Sequence, residues 1–231
     1  MTHIAIPPKE PGESGRQYAY RVLYRAIMTL QLPPSWVLSD AELSQALEIS
    51  RTPIREAIVS LQEAKLVEVY PQRSSCVSRI DLDAIEEGVF LRYHTECAVF
   101  REAVHKADGA AMGRLRANLL AQEERLKAGD ILGYFELDNA FHKEFYFIAG
   151  KPWVWSTVAR IVTHHDRVRL LQAQLGAEQL WPAHREHGKL LDVIIQRSER
   201  NVDEFLHEHL TAGYRSALPE LIRRFPDYFA L

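Results

Sequence analysis

The sequence predicts a mainly α-helical fold in two unlike parts. Strand signals occur only between residues 66 and 78 of the 231. Nearly all the rest carries apolar residues at helical period. From Asp81 onward, helix-breaking clusters follow one another at intervals of roughly one helix. The first part therefore reads as three helices closed by a hairpin, and the second as an antiparallel bundle of six or more helices. At 47% hydrophobic and 26% charged, the composition is that of a folded chain rather than a disordered one.

Residues 1–15, "MTHIAIPPKEPGESG", are rich in Pro, Gly and Glu and predict a flexible arm; they lack the charged start and apolar core of a signal peptide. Helices are expected at about 15–30, 39–48 and 52–64. Ser39 with Glu42 three residues on fits a capping box for the second helix. Thr52 followed by Pro53 fits N-cap and first position of the third. Ile54, Ala57, Ile58 and Leu61 form one apolar stripe along it. "LVEVY" (66–70) alternates and is β-branched, "PQRSS" (71–75) is a turn, and "CVS" (76–78) returns antiparallel. Three short helices, a tight turn at "LEIS" (47–50) and a two-stranded wing make a winged helix-turn-helix over 16–79. The remainder, 80–231, reads as helices near 81–106, 109–128, 130–149, 152–175, 180–197 and 200–216.

Several classes are disfavoured. No run approaches the 18 or so apolar residues of a membrane span, so no membrane partner is expected. Cys76 and Cys97 form no C-x-x-C pair, which argues against a disulfide framework or zinc knuckle and for a reducing cytoplasm. Residues 1–79 hold 9 Lys/Arg against 8 Asp/Glu, and the rest 19 against 23, so the balance shifts from +1 to −4. That asymmetry is too mild to identify a nucleic-acid binder; residue placement has to do so.

Placement does. With the apolar stripe of the third helix facing its own domain, Arg51 and Arg55 lie four apart on the exposed side at its N-terminus. The start of a recognition helix is where helix-turn-helix proteins meet base edges and phosphates. Arginine can fork onto guanine or phosphate, and Thr52 can bond a phosphate oxygen. First-turn amides, beginning at Ser50, add donors. Gln72 and Arg73 at the wing tip can reach the backbone or minor groove. The bland alternative is a solvated helix end with Arg55 paired to Glu56 or another surface acid.

The stretches "AIMTLQLPP", "LSDAELSQALEISRTPIREAIVSLQEAKLVEV" and "PQRSSCV" resemble the DNA-binding domain of the GntR family of bacterial transcription regulators. The resemblance implies that Ser50, Arg51, Thr52 and Arg55 contact DNA, with Gln72 and Arg73 alongside. Three positions depart from the family pattern. Ala41 stands where an arginine is usual, Ser74 replaces the wing glycine, and Lys65 replaces the glycine before "LVE".

In the helical part, Asp138 and His142 of "LDNAFHKEF" share a helix face and can share a divalent cation. Further ligands would come from His184 or His187, and from His207 or His209; spacing alone leaves both pairs open, and surface histidines remain the plainer reading. This half resembles the FCD ligand-binding domain of the FadR subfamily. The resemblance implies one divalent metal per chain held by Asp138, His142, His187 and His209. It also implies a small carboxylate effector held by Arg92 of "FLRYHTE", for which an ion pair with Glu96 is the competing role. One carboxylate with three imidazoles suits zinc or nickel, with manganese also allowed. The expected function is a homodimeric regulator whose affinity for a palindromic operator is controlled by that effector. The alternatives are a regulator sensing the metal itself, and a metal-dependent hydrolase. The hydrolase is disfavoured because Asp138 is taken as a ligand and no separate general base stands near it.

Overall fold

Ser14 opens the first helix, α1 (Gly15–Met28), with a capping box: its hydroxyl accepts from the Gln17 amide (3.2 Å) and its amide donates to the Gln17 side chain (2.8 Å). The computed structural model describes residues 4–70 and 75–230. The expected flexible arm carries several contacts over 4–14. Tyr18 Oη donates to Pro7 O (3.1 Å), Arg21 Nη2 to Pro8 O (3.1 Å), and the Ala5 amide to Gln31 Oε1 (2.8 Å). Arg21 also pairs with Glu13 at 2.8 Å.

The chain divides into two units, Met1–Asp83 with Ile222–Leu231, and Ala84–Leu221. In the first, Ser39 caps α2 (Asp40–Leu47) by accepting from the Glu42 amide at 3.4 Å. Glu48 then turns the backbone through the left-handed region (φ 55°). The next helix, α3, spans Arg51–Glu63, two residues earlier than Thr52 capping predicts. Ser50 is the N-cap, and Arg51, Thr52 and Pro53 form the first turn. Proline is tolerated there because first-turn amides lack intrahelical partners in any case. Ile54, Ala57, Ile58 and Leu61 are buried, as are Ala19, Val22, Leu23, Ala26 and Ile27 of α1. Arg16 Nη2 donates to Ser60 Oγ (2.9 Å) across this pair.

The wing has three strands rather than the expected two. β1 (Val37–Leu38) and β2 (Val67–Val69) flank β3 (Ser75–Val77), both antiparallel to it, with Val37 opposite Cys76 and Val67 opposite Val77. The wing-tip residues Gln72, Arg73 and Ser74 lie outside the described residues. β4 (Ile80–Asp81) pairs in parallel with β5 (Phe229–Ala230) near the chain end. Ile80 and Phe229 are both fully buried, which is why Ile222–Leu231 cluster with this unit although the sequence reading ran the helical part through to 231.

The second unit is built from α4 (Leu82–Lys106), α5 (Gly109–Lys127), α6 (Ile131–Ile148), α7 (Pro152–Ile161), α8 (Thr163–Ala173), α9 (Trp181–Gln196) and α10 (Val202–Arg224). Asp108 and Asp130 cap α5 and α6 through the amides of Ala111 (2.7 Å) and Gly133 (2.9 Å). The single helix expected over 152–175 is broken at Val162. Gly88 of α4 faces the break: a Cβ there would sit 3.1 Å from the Ile161 carbonyl oxygen, a tight contact that glycine avoids. Phe100, Phe141, Phe145, Tyr146, Leu190, Ile194 and Leu206 form the centre of the core. Among the described residues, no helix is long and apolar enough to cross a membrane.

Candidate functional site

On α3 the side chains of Ser50, Arg51, Thr52 and Arg55 are exposed, on the side opposite the buried stripe. Unlike the N-termini of α1 and α2, that of α3 has no side-chain cap, so its first-turn amides stay available to an outside acceptor. Arg51 has no ion-pair partner among the described residues. Arg55 does: its Nε donates to Asp40 Oδ2 at 2.6 Å, so the partner is not the neighbouring Glu56.

The second group lies in the helical unit. α6 supplies Asp138 and His142, α9 supplies His187 and α10 supplies His209. Ligand nitrogens of the three histidines lie within 4.8 Å of one another. Asp138, His142 and His187 have no exposed surface. Asp138 Oδ1 lies 3.5 Å from His187 Nε2. His184 sits beside the group, its Nδ1 3.5 Å from Gln122 Oε1, while His207 is exposed and packs edge-on against Tyr93.

Each imidazole is held by an acceptor on Nδ1. His142 Nδ1 meets Glu96 Oε1, His209 Nδ1 meets Glu186 Oε2 (2.7 Å), and His187 Nδ1 meets Gln122 Oε1 (2.8 Å). A carboxylate can only accept, so the first two Nδ1 atoms carry the proton. The amide orientation at the third follows from a chain of bonds. The Leu137 carbonyl accepts from Asn118 Nδ2 (3.0 Å), Asn118 Oδ1 accepts from Gln122 Nε2 (2.7 Å), and Gln122 Oε1 therefore faces His187. With Nδ1 protonated, each Nε2 presents a lone pair. Those of His142 and His209 face each other at 3.2 Å. His187 Nε2 and Asp138 Oδ2 are buried with no hydrogen-bond partner.

Electrostatics agree with that protonation. Burial pushes the His142 and His187 imidazoles below their ordinary range, favouring the neutral form. Burial also acts to raise the Asp138 and Glu96 carboxyls but is outweighed. Arg169 holds Asp138 well below the carboxylate range, and the hydrogen bond from His142 Nδ1 together with Arg92 holds Glu96 at about 2. The three imidazole lone pairs converge with no proton between them, as a cation requires, so the histidines fit a metal; Asp138 stands outside that close group, 3.5 Å from His187 Nε2 and paired to Arg169.

A cavity of about 330 Å³ adjoins the group, lined in part by Arg92, His142, His165, Arg169, His209 and Tyr214. Arg92 is buried and donates from Nε to Glu96 Oε2 (3.2 Å), so the expected alternative role is present; its Nη2 has no hydrogen-bond partner. Arg169 Nη2 donates to Asp138 Oδ1 (2.7 Å), leaving Nη1 without a hydrogen bond, 3.6 Å from Asp166 Oδ1. His165 Nδ1 is likewise unpartnered. Sequence reasoning did not single out Gln122. The run "HHDRVR" (164–169), which holds His165 and Arg169, resembles the family in sequence but suggests no role by itself; its burial, despite its polarity, is what the structure adds.

Comparison with known proteins agrees with this division of labour. Residues 16–77 match the gntR family of bacterial regulatory proteins, and 88–212 match the FCD domain. The chain is 33% identical over 218 residues to an HTH-type transcriptional regulator from an unstable DNA locus of Streptomyces ambofaciens, covering 91% of this chain and 90% of that one. It is 30% identical over 203 residues to the HTH-type transcriptional repressor RspR of Escherichia coli K12, covering 87% of each. Its fold matches the structure of E. coli McbR/YncC with a TM-score of 0.75 at 17% identity, covering 92% of this chain and 99% of that one. The two sequence relatives are named as transcription regulators and the matched families are regulatory, which goes against the hydrolase alternative. The chain belongs to the GntR family as a DNA-binding transcription regulator with an FCD domain.

Proposed function

We propose that this regulator binds a small organic acid at a divalent metal ion in its helical unit, and that the acid changes its affinity for an operator. The carrying observation is the convergence of His142, His187 and His209, each with Nδ1 satisfied, around lone pairs and the unpartnered Asp138 Oδ2. Asp138, His142, His187 and His209 would hold the ion. When bound, the metal supplies a Lewis-acidic anchor for a carboxylate oxygen. Three nitrogens and one oxygen favour zinc or nickel over the harder cations, with manganese as a weaker fit.

The chain's own residues would supply the rest of the ligand site. Arg92 Nη2, Arg169 Nη1 and His165 Nδ1 offer buried polar groups without hydrogen-bond partners on the wall of one cavity. A buried guanidinium edge gains most from an ionised acceptor. At about 330 Å³ the cavity is at the small end of ligand pockets, which favours a small acid over a long-chain one.

At the other end of the chain, Ser50, Arg51, Thr52 and Arg55 would enter the major groove, with Gln72 and Arg73 of the wing beside them. A homodimer would present two such helices to a palindromic operator, acting in the cytoplasm. The effector then needs only a different affinity for two arrangements of the DNA-binding units. The test is operator binding by metal-loaded and chelator-stripped protein across small mono- and dicarboxylic acids. A shift in operator affinity with acid, present only when metal is loaded, is expected. A shift that follows metal alone makes the ion itself the signal, and no shift under any condition contradicts the proposal.

A further inference from the structure

Arg51 and Arg55 point outward from the same helix face, yet only Arg55 is held. Asp40, the first residue of α2, takes its Nε at 2.6 Å across the helix-turn-helix. The Arg55 side chain is 67% exposed and that of Asp40 29%, and a pair so open to water adds little to stability. It also places a negative charge on a face that has to approach phosphates. What the pair does accomplish is geometric. A guanidinium presents one fork through Nε and a second, end-on, through its two Nη atoms. With Nε committed to Asp40, the end-on fork remains for an outside acceptor, on a side chain that is largely exposed.

We infer that Asp40 is a positioning residue for operator recognition, fixing Arg55 so that its two Nη donors fork end-on onto a guanine edge. Asp40 also repels phosphate-only encounters of the same face. This rests on the reading that Arg55 meets the operator. Fixing the side chain beforehand removes ordering cost from specific binding, while the carboxylate penalises binding that offers only phosphate. Asp40 thus raises the ratio of specific to non-specific affinity. Arg51, with no carboxylate partner among the described residues, stays free to follow the backbone. Ala41 sharpens the point: with no arginine there, discrimination at this end of the helix pair rests more heavily on Arg55.

The experiment is a double-mutant cycle with the full-length protein. Asp40→Asn is made in the wild-type and Arg55→Ala backgrounds. Binding is measured to a duplex selected from a random pool by the wild-type protein, and to a duplex of unrelated sequence. In the wild-type background Asp40→Asn should weaken binding to the selected duplex about tenfold. It should leave binding to the unrelated duplex equal or tighter. In the Arg55→Ala background the same change should alter selected-duplex affinity less than about twofold. Thermal melting guards against a structural effect on α2, whose first turn Asp40 also serves by its charge. The inference is overturned if Asp40→Asn weakens both duplexes alike, acts equally in both backgrounds, or leaves the affinity ratio unchanged. Failure of the underlying reading looks different: Arg55→Ala alone then costs no selected-duplex affinity.

Discussion

On α3, Ser50, Arg51, Thr52 and Arg55 all stand in solvent, whereas Asp138, His142 and His187 in the helical unit have no exposed surface at all. Among the described residues, the outer face has one side-chain hydrogen bond, from Arg55 to Asp40. The inner group uses Glu96, Glu186, Gln122, Asn118 and Arg169 to organise four side chains. The difference follows from what each binds. DNA brings a dense line of charge and tolerates intervening water, so its receptor can remain solvated and adaptable. A small ion or acid inside a protein has to be met by groups already stripped of water and correctly protonated. Holding such groups in place needs polar support, here the acceptor on each Nδ1.

Four substitutions probe this contrast, from the largest expected effect to the smallest. Glu96→Ala leaves the Arg92 guanidinium and His142 imidazole buried without their shared acceptor. It should destabilise the protein by about 3–5 kcal/mol in urea unfolding. A loss below about 1 kcal/mol would mean the inner group is not held as described. Gln122→Leu removes the acceptor from His187 Nδ1 and should lower metal affinity by about 10–100-fold in a competition assay with a chromogenic chelator. Unchanged affinity would show that ring orientation does not matter there.

The outer face should respond in the opposite way. Arg55→Ala should cost about 1–3 kcal/mol of operator binding, yet barely move the thermal midpoint, since exposed pairs contribute about 1 kcal/mol or less. A large drop in melting temperature would place Arg55 with the buried class. Arg51→Ala is the mildest change. It should reduce the slope of log affinity against log salt by about one, with similar losses on any DNA sequence. A sequence-selective loss would make Arg51 a base reader and erase its contrast with Arg55.

How much of this was legible depended on the range of the interactions. The apolar stripe of α3 and the Asp138–His142 pair are i, i+4 relationships and could be read directly. So could Arg92 with Glu96, and the two compete for the same reason: spacing on one helix does not say which partner wins. Glu96 as the acceptor for His142 was not legible, because 46 residues separate them and only packing of α4 on α6 joins them. Gln122 carries no pattern of its own; its role depends on Asn118 and the Leu137 carbonyl. β1 and β5 are two residues each, too short for any alternation to show. The break at Val162 has no Pro or Gly to announce it, and Gly88, which accommodates it, lies on a different helix. Ser50 rather than Thr52 is the N-cap: both residue types favour that place, they lie two positions apart, and backbone geometry rather than a side-chain bond marks the start.

The most direct measurement is the metal content of purified protein by inductively coupled plasma mass spectrometry, with His142→Ala alongside. About one equivalent of divalent metal per chain in the wild type, lost in the variant, is the predicted result. Wild-type protein that takes up no metal after reconstitution would contradict the account, because the facing lone pairs of His142 and His209 would then need a different explanation.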